Sequence, residues 1–363
     1  MSNLGNSGPE VLVVGAGING LITAYCLCKG GARVTLCDRG PIPNPDSASH
    51  GAHRLIHPWV GTGTCAQAKE ILTAAQLWQQ LLQDIGCDGF QRCGVLVASG
   101  SQDGAKTNHL ELTPAQAEHQ LAGAGTQAHR LWFPTFGALL ANRILVDLVA
   151  YLKNNGVMIY PQSELGNINA HTGWAQIGCQ DGRLFDHIVL ATGWRSRNVH
   201  SLPELSPSLQ QFRPWRCYVL YVPAKAIPER LTPKSAWAGF MGHDLWGMPA
   251  LCGHDAKFGH GGLSHPANDP APTAQQIRAA FVEAYRQADH GYHFLEHGRI
   301  ATNIWAECPG PNRVVSQGKC SLITSDFGGG FKTAPLVGRE ICEKLLASKP
   351  HKESTPKKRP TRA

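Results

Sequence analysis

Glu10-Val11-Leu12-Val13-Val14, running straight into Gly15-Ala16-Gly17-Ile18-Asn19-Gly20, is the stretch on which the fold turns. The first five residues are β-branched and almost wholly apolar, as a strand covered on both faces requires. The next six form a GxGxxG turn. Leu21 to Lys29 then reads as a helix, closed by Gly30-Gly31, and Arg33 to Cys37 as a second strand ending on Asp38. Gly15 permits the tight turn, Gly17 lets backbone approach a pyrophosphate, and Gly20 lets the helix pack on the strand. The helix N-terminus, with Ile18 and Asn19 in it, offers free N–H groups and partial positive charge to phosphates. Asp38, followed by Arg39, stands where a carboxylate accepts both ribose hydroxyls and repels a 2′-phosphate. With strand, helix, second strand and terminal acid in register, the pattern predicts a Rossmann-type α/β unit that binds a dinucleotide. The fingerprint serves FAD and NAD alike.

The remainder of the chain limits the alternatives. At 363 residues it is long for a single core and predicts two domains. The formal net charge of +7 is partly local, since residues 350–363 hold Lys352, Lys357, Lys358, Arg359 and Arg362 against Glu353. That end reads as a basic, solvated tail. No basic stripe with interleaved aromatics suggests nucleic acid, and no run of eighteen apolar residues suggests a membrane span. Twelve cysteines without zinc spacing predict reduced thiols in a cytoplasmic protein. His50, His53 and His57 would share one face of a helix. That arrangement reads as polar lining rather than a metal site, having no acid partner.

An NAD dehydrogenase continues at once with further βα units. Here Gly40-Pro41-Ile42-Pro43-Asn44-Pro45-Asp46 breaks the chain, and Ser49-His50-Gly51-Ala52-His53-Arg54 follows. Much later, Asp186 to Leu190 forms an apolar strand that ends in Ala191-Thr192-Gly193-Trp194. Cys252-Gly253-His254-Asp255-Ala256-Lys257-Phe258-Gly259 reads as a lysine-bearing hairpin, and Gly328-Gly329-Gly330-Phe331-Lys332 opens a helix over Thr333–Leu346. Taken in order, these segments resemble the FAD family of D-amino acid oxidase and glycine oxidase. They are most similar to its monomeric sarcosine oxidase and N-methyltryptophan oxidase branch, from about Val11 to Leu346.

The resemblance implies FAD as cofactor, with Ser49, His50 and Arg54 at the flavin ring and the Gly328–Lys332 segment at its N1/O2 edge, where negative charge collects on reduction. It implies that Lys257 activates oxygen and that Lys332 binds substrate. Arg39 and Met158 are counted with the cofactor-binding residues. Without a family, a lone lysine in a glycine-rich hairpin reads as a solvated turn residue. Two departures stand out. Where the branch carries a second arginine, three residues after the counterpart of Arg54, this chain has His57, a weaker holder of carboxylate. The Thr302–Ala306 stretch lacks the cysteine that links flavin in the branch, so FAD is expected to be non-covalent.

The domain boundaries expected are 1–88, 142–211 and 302–348 for FAD binding and 89–141 and 212–301 for an inserted antiparallel-sheet substrate domain, with a flexible tail at 349–363. Trp59, Trp215, Trp237, Trp246 and Trp305 are candidate pocket walls or plain core. The function implied is oxidation of the C–N bond of an amine or amino acid, giving an imine and hydrogen peroxide. The catalytic candidates are Lys257, His50, Arg54, Lys332 and His57. Substrate and O₂ are the partners expected, with neither nucleic acid nor membrane, on a monomer or small homo-oligomer. The competing readings are a dehydrogenase with another electron acceptor, an NAD enzyme, and a non-catalytic flavin-binding protein.

Overall fold

Val11, Leu12 and Val13 are fully buried, as a strand covered on both faces must be. They lie in β1 (Glu10–Val14), in the middle of a six-stranded sheet. This computed structural model describes residues 8–57, 65–98, 110–113, 115–116, 130–198, 210, 212–240, 245–288, 292–307, 313–324 and 329–347. Parallel β2 (Arg33–Cys37) and β13 (His187–Leu190) flank β1. Beyond β2 lies β9 (Met158–Tyr160). Beyond β13 come parallel β21 (Cys320–Ile323) and antiparallel β20 (Val314–Gln317).

Two helices pack against each other beside this sheet. α1 spans Ile18–Lys29, and the last helix, α5, spans Gly330–Leu346. Both begin about three residues before the sequence reading placed them, so the glycine segments form first turns instead of leading into them. The two helices touch closely because Gly338 has no side chain. A Cβ there would come within 3.0 Å of Cys26 Sγ and 3.2 Å of the Ile22 carbonyl. Between them in sequence run α2 (Cys65–Asp84), α3 (Ala141–Asn154) and α4 (Ala274–Ala288). α3 buries Ile144, Leu145, Leu148 and Leu152, the spacing of one helical face.

The second layer is a nine-stranded sheet. Its path runs β18 (His265–Pro266), β14 (Arg213–Val222), β17 (Ala256–His260), β16 (Leu245–Met248), β15 (Ala236–Phe240), β5 (Val95–Ala98), β7 (Arg130–Phe133) and β6 (Leu110–Leu112). Only the β15–β5 pair is parallel. β19 (Arg299–Glu307) pairs with β14 from Arg213↔Glu307 to Tyr221↔Arg299. The boundary expected at residue 301 therefore falls inside a strand that stays in this sheet to Glu307. One face is sealed by an aromatic core of Trp237, Phe258, Phe281, Tyr285, Tyr292 and Phe294. Each such ring contributes roughly 1.5–3 kcal/mol on burial.

Two small sheets complete the fold: β3 (Arg54–Ile56), β8 (Gly137–Leu139) and β4 (Phe90–Gln91), then β10 (Leu165–Asn169), β11 (Trp174–Ile177) and β12 (Arg183–Leu184). β3 corrects the helical reading of the histidines. Paired with β8, this segment is extended, so His53 and His57 are separated by about 13 Å of chain. Among the described residues no group of three or more His, Cys, Asp or Glu could hold a metal, and no helix is long and apolar enough to cross a membrane. Trp59, Cys308, Gly328 and the tail from 349 lie outside the described residues. Gly338→Leu is expected to lower the unfolding free energy by about 1–3 kcal/mol. A urea midpoint equal to that of the native chain would show that the α1–α5 contact is loose.

Candidate active site

The β1–α1 turn is built by close approach. Gly15 has φ +99°, and a Cβ on it would come 2.5 Å from the Ala191 carbonyl; one on Gly20 would come 1.8 Å from the Gly15 carbonyl. No side chain fits at either place. The turn thereby opens the α1 N-terminus onto a cavity of about 1130 Å³, at the large end for a ligand site. Ser49 Oγ accepts a hydrogen bond from the Ile18 N–H at 2.9 Å. Asn19 Oδ1 and Arg195 Nε, both of residues on the cavity wall, are buried without hydrogen-bond partners among the described residues. Such orphaned polar atoms fit a polar ligand. The bare glycine turn, the free helix end and these two atoms together fit a dinucleotide.

Asp38 is more occupied than its position suggested. Oδ2 accepts from the Ala16 N–H at 2.8 Å, while Oδ1 accepts from the Gly40 N–H at 2.8 Å and Asn44 Nδ2 at 2.9 Å. A carboxylate accepts about four hydrogen bonds, so roughly one place is left for a ribose hydroxyl instead of two. Ser163 to Asn167, leading into and along β10, forms the wall beside it.

At the other end, strand alternation decides what faces inward. On β17, Ala256 and Phe258 enter the aromatic core, so Lys257 and Gly259 point the opposite way. Gly259 makes room for Trp246, whose ring lies 2.1 Å from where its Cβ would be. On β14, Tyr218, Leu220 and Val222 take the core face, leaving Cys217 and Val219 on the cavity wall. Lys257 is 2% exposed, with Nζ 5.0 Å from the Trp246 ring centre and donating to the His53 carbonyl at 3.3 Å. Burial, reinforced by the Arg54 charge, holds this amine well below its ordinary pKa. Burial pushes the Cys217 thiol up, and the nearby charges of Lys257 and Arg54 oppose that shift.

Arg54 is fixed through backbone. Its Nη2 donates to the Ala48 carbonyl at 2.8 Å and the His50 carbonyl at 2.6 Å, and its guanidinium lies 5.7 Å from the Phe331 ring centre. Phe331 is anchored in turn by Trp78, which stacks on it at 6.0 Å and donates Nε1–H to its carbonyl at 2.6 Å. α5 opens from this anchored point, with Gly329, Gly330, Phe331, Lys332 and Thr333 on the wall. Lys332 Nζ donates to His57 Nε2 at 3.1 Å. An ammonium offers no acceptor, so a charged Lys332 enters this contact as the donor and Nε2 as the acceptor.

The family model described as DAO, FAD dependent oxidoreductase, matches residues 10–344. The chain belongs to the FAD dependent oxidoreductase family. It is 24% identical over 392 residues to the peroxisomal sarcosine oxidase of Homo sapiens, covering 96% of this chain and 94% of that protein. It is 34% identical over 373 residues to the monomeric sarcosine oxidase of Bacillus sp. strain NS-129, covering 94% and 93%. Among solved structures, the L-proline dehydrogenase from P. horikoshii superposes with a TM-score of 0.76 at 16% identity, covering 95% of both chains. The cofactor of this FAD dependent oxidoreductase is FAD, which removes the NAD reading.

Against this family frame, the cavity wall brings together Gly15, Gly17, Ile18, Asn19, Asp38, Arg39, Ser49, Arg54, His57, Ala191, Thr192, Gly193, Trp194, Lys257, Gly329, Gly330, Phe331 and Lys332. Gly20 stands behind the turn as a packing residue. His50 and Met158 are not on this wall. The His50 side chain is off the wall, and its backbone brackets Arg54 instead. Met158 is 42% exposed on β9 and off the wall, because the alternation of a short strand turned it outward. Trp246 and Trp305 line the cavity, whereas Trp237 is core and Trp215 stacks behind Trp305 at 6.2 Å. Sequence reading missed Asn44, Glu164, Arg195, Cys217 and Asn303; only Arg195, next to the Ala-Thr-Gly turn, carried a local signal.

Lys257→Met is expected to raise thermal stability at pH 7. The folded amine has a depressed pKa, so between that value and about 10.4 the unfolded chain binds more protons. Native stability therefore rises with pH there. The gain from methionine should shrink as melts are taken from pH 7 to 10. A pH-independent gain would place the amine in solvent.

Proposed function

We propose that the protein oxidises the C–N bond of an amino acid or N-substituted amino acid, releasing an imine and passing the electrons to O₂ as hydrogen peroxide. The observation that carries this reading is the cationic end of the cavity. Its wall carries Arg54, Lys257 and Lys332 near α5, whereas the acids of the wall, Asp38 and Glu164, stand around the β2 tip in company with Arg39 and Arg195. A cationic end suits a carboxylate and disfavours an ammonium, so the bound amine is driven to its neutral, reactive form. FAD, when bound, supplies a two-electron acceptor.

Lys332 holds the substrate carboxylate, and His57 Nε2 fixes the direction of the lysine by accepting one of its protons. Trp246 and Trp305 exclude water around the group to be oxidised. Lys257 faces the reacting end as a buried amine able to hold or release a proton. The described part of β19 presents no cysteine to the cofactor, and Cys217 is the thiol on the wall, cross-strand from Asn303. We read the flavin as non-covalent.

The deciding experiment is anaerobic mixing with secondary amines, cyclic imino acids and aromatic amino acids, each beside its carboxamide. A carboxylate-bearing member should bleach the flavin, and air should then yield peroxide. Bleaching by no member would make this a flavin-binding protein without amine chemistry; dye reduction without peroxide in air would make it a dehydrogenase. Lys332→Ala should weaken a carboxylate inhibitor by on the order of tenfold or more, the scale of a lost charged hydrogen bond. Unchanged inhibitor affinity would remove Lys332 from the carboxylate. Acid precipitation should leave the yellow colour in the supernatant; a yellow pellet would reveal a covalent bond.

A further inference from the structure

Behind Lys257, on the side away from the cavity, lies a group the reaction above does not use. His53 is fully buried, and among the described residues neither ring nitrogen makes a well-aligned hydrogen bond, the carbonyls of Pro249 and of His53 itself standing beside the ring. Its carbonyl accepts from Lys257 Nζ at 3.3 Å. Its ring stacks on Tyr221 with centres 6.3 Å apart and lies 6.1 Å from the ring of His254. His254 is half-buried and sits in the turn closed by Leu251 and His254, beside exposed Cys252 and Gly253.

Buried polar atoms without a well-aligned protein partner are ordinarily met by water. Two imidazoles with centres 6.1 Å apart do not hydrogen-bond directly here, and one water spans such a gap. The backbone already ties His53 to Lys257, so Lys257, His53 and His254 form a series from the cavity wall to the surface. Lys257 itself is only 2% exposed, so a proton on its amine needs intervening groups to reach solvent.

We propose that His53 and His254 form the proton route between the Lys257 amine and solvent. This rests on the reading that Lys257 handles a proton at the reacting end. A proton leaving the Lys257 ammonium passes through water to one nitrogen of His53, while the proton on its other nitrogen departs across the second water to His254 and on to solvent. One N–H bond forms for each that breaks, and no electrons move. His53 is suited to this because it rests neutral. Burial, with Lys257 and His254 beside it, pushes its pKa down to about 3. It therefore keeps one donor and one acceptor nitrogen throughout the working range. The titratable groups around it are Lys257 from β17, Tyr221 from β14 and His254 from the turn; Arg54 and Arg299 act on Tyr221.

The test uses the full FAD-loaded chain with ¹⁵N-labelled histidine, without substrate or oxygen. The His53 ring signal is identified by its loss in His53→Gln. In the native chain its N–H should exchange with water too fast to observe. In His254→Phe, which keeps a ring in place, exchange should slow by about tenfold or more and the signal should appear. His254→Asn should behave likewise if the phenylalanine variant fails to fold. Reoxidation of the dithionite-reduced enzyme by O₂ should slow by about tenfold in the same variants, with a larger solvent deuterium effect, and added imidazole should restore it. A His53 N–H already protected in the native chain, or exchanging equally fast after His254 is replaced, would overturn the route. The exchange readout needs no turnover, so a protein that forms no peroxide still gives an answer about His53 and His254.

Discussion

A side chain on Gly20 would have to occupy the place of the Gly15 carbonyl, 1.8 Å from its Cβ. The site depends on that exclusion. It lets α1 start directly under the end of β1, with the Gly15 N–H donating to the Cys37 carbonyl at 2.7 Å and the Ala16 N–H to Asp38. The turn is thus stitched to β2 on one side and pressed against Ala191, at the end of β13, on the other. The carboxyl ends of three parallel strands meet there, which is where open α/β sheets bind ligands. The second close approach, at Gly338, sets α5 beside α1. Two helix N-termini then open onto one cavity, and both bring partial positive charge to it.

The larger sheet solves a different problem. It must bury a lysine beside a cofactor site without losing its own core. Period-two alternation separates the two tasks along single strands: Phe258 beside Lys257, Leu220 between Val219 and Tyr221. Burial of the aromatic face stabilises the sheet, and this stability offsets the cost of holding an amine out of water on the reverse face. The depressed pKa of Lys257 follows from its architecture as much as from the Arg54 charge.

What the sequence made legible was local. The GxGxxG turn, the Ser49–Arg54 segment, the Ala-Thr-Gly turn and the start of α5 each lie within one stretch of chain, and each reaches the cavity. What it hid was pairing. Cys217 and Asn303 come to the wall because β14 and β19 run antiparallel in one register, which no spacing announces. Glu164 comes in on the segment leading into a small separate sheet. The histidines of 50–57 looked helical by spacing, but pairing of β3 with β8 overrode that pattern. The part that the His50 carbonyl plays, holding Arg54 together with that of Ala48, is likewise a backbone contact that residue type does not announce.

His57, standing by resemblance where the sarcosine oxidase branch carries an arginine, bears on how the cationic end would recognise a substrate. Two cations around one carboxylate would fix its position by charge and geometry together. Here His57 Nε2 lies 3.1 Å from Lys332 Nζ, and as the acceptor of that contact it takes up one of the three donors of the lysine. A carboxylate would then meet one oriented cation, with less electrostatic attraction to spend on ordering the rest of the molecule. Selectivity on this reading shifts to shape: to Trp246 and Trp305, to the space above Cys217 and Val219, and to whatever group a substrate offers them. The family resemblance narrows the chemistry to a C–N bond, and this exchange at position 57 leaves the apolar wall to choose which one.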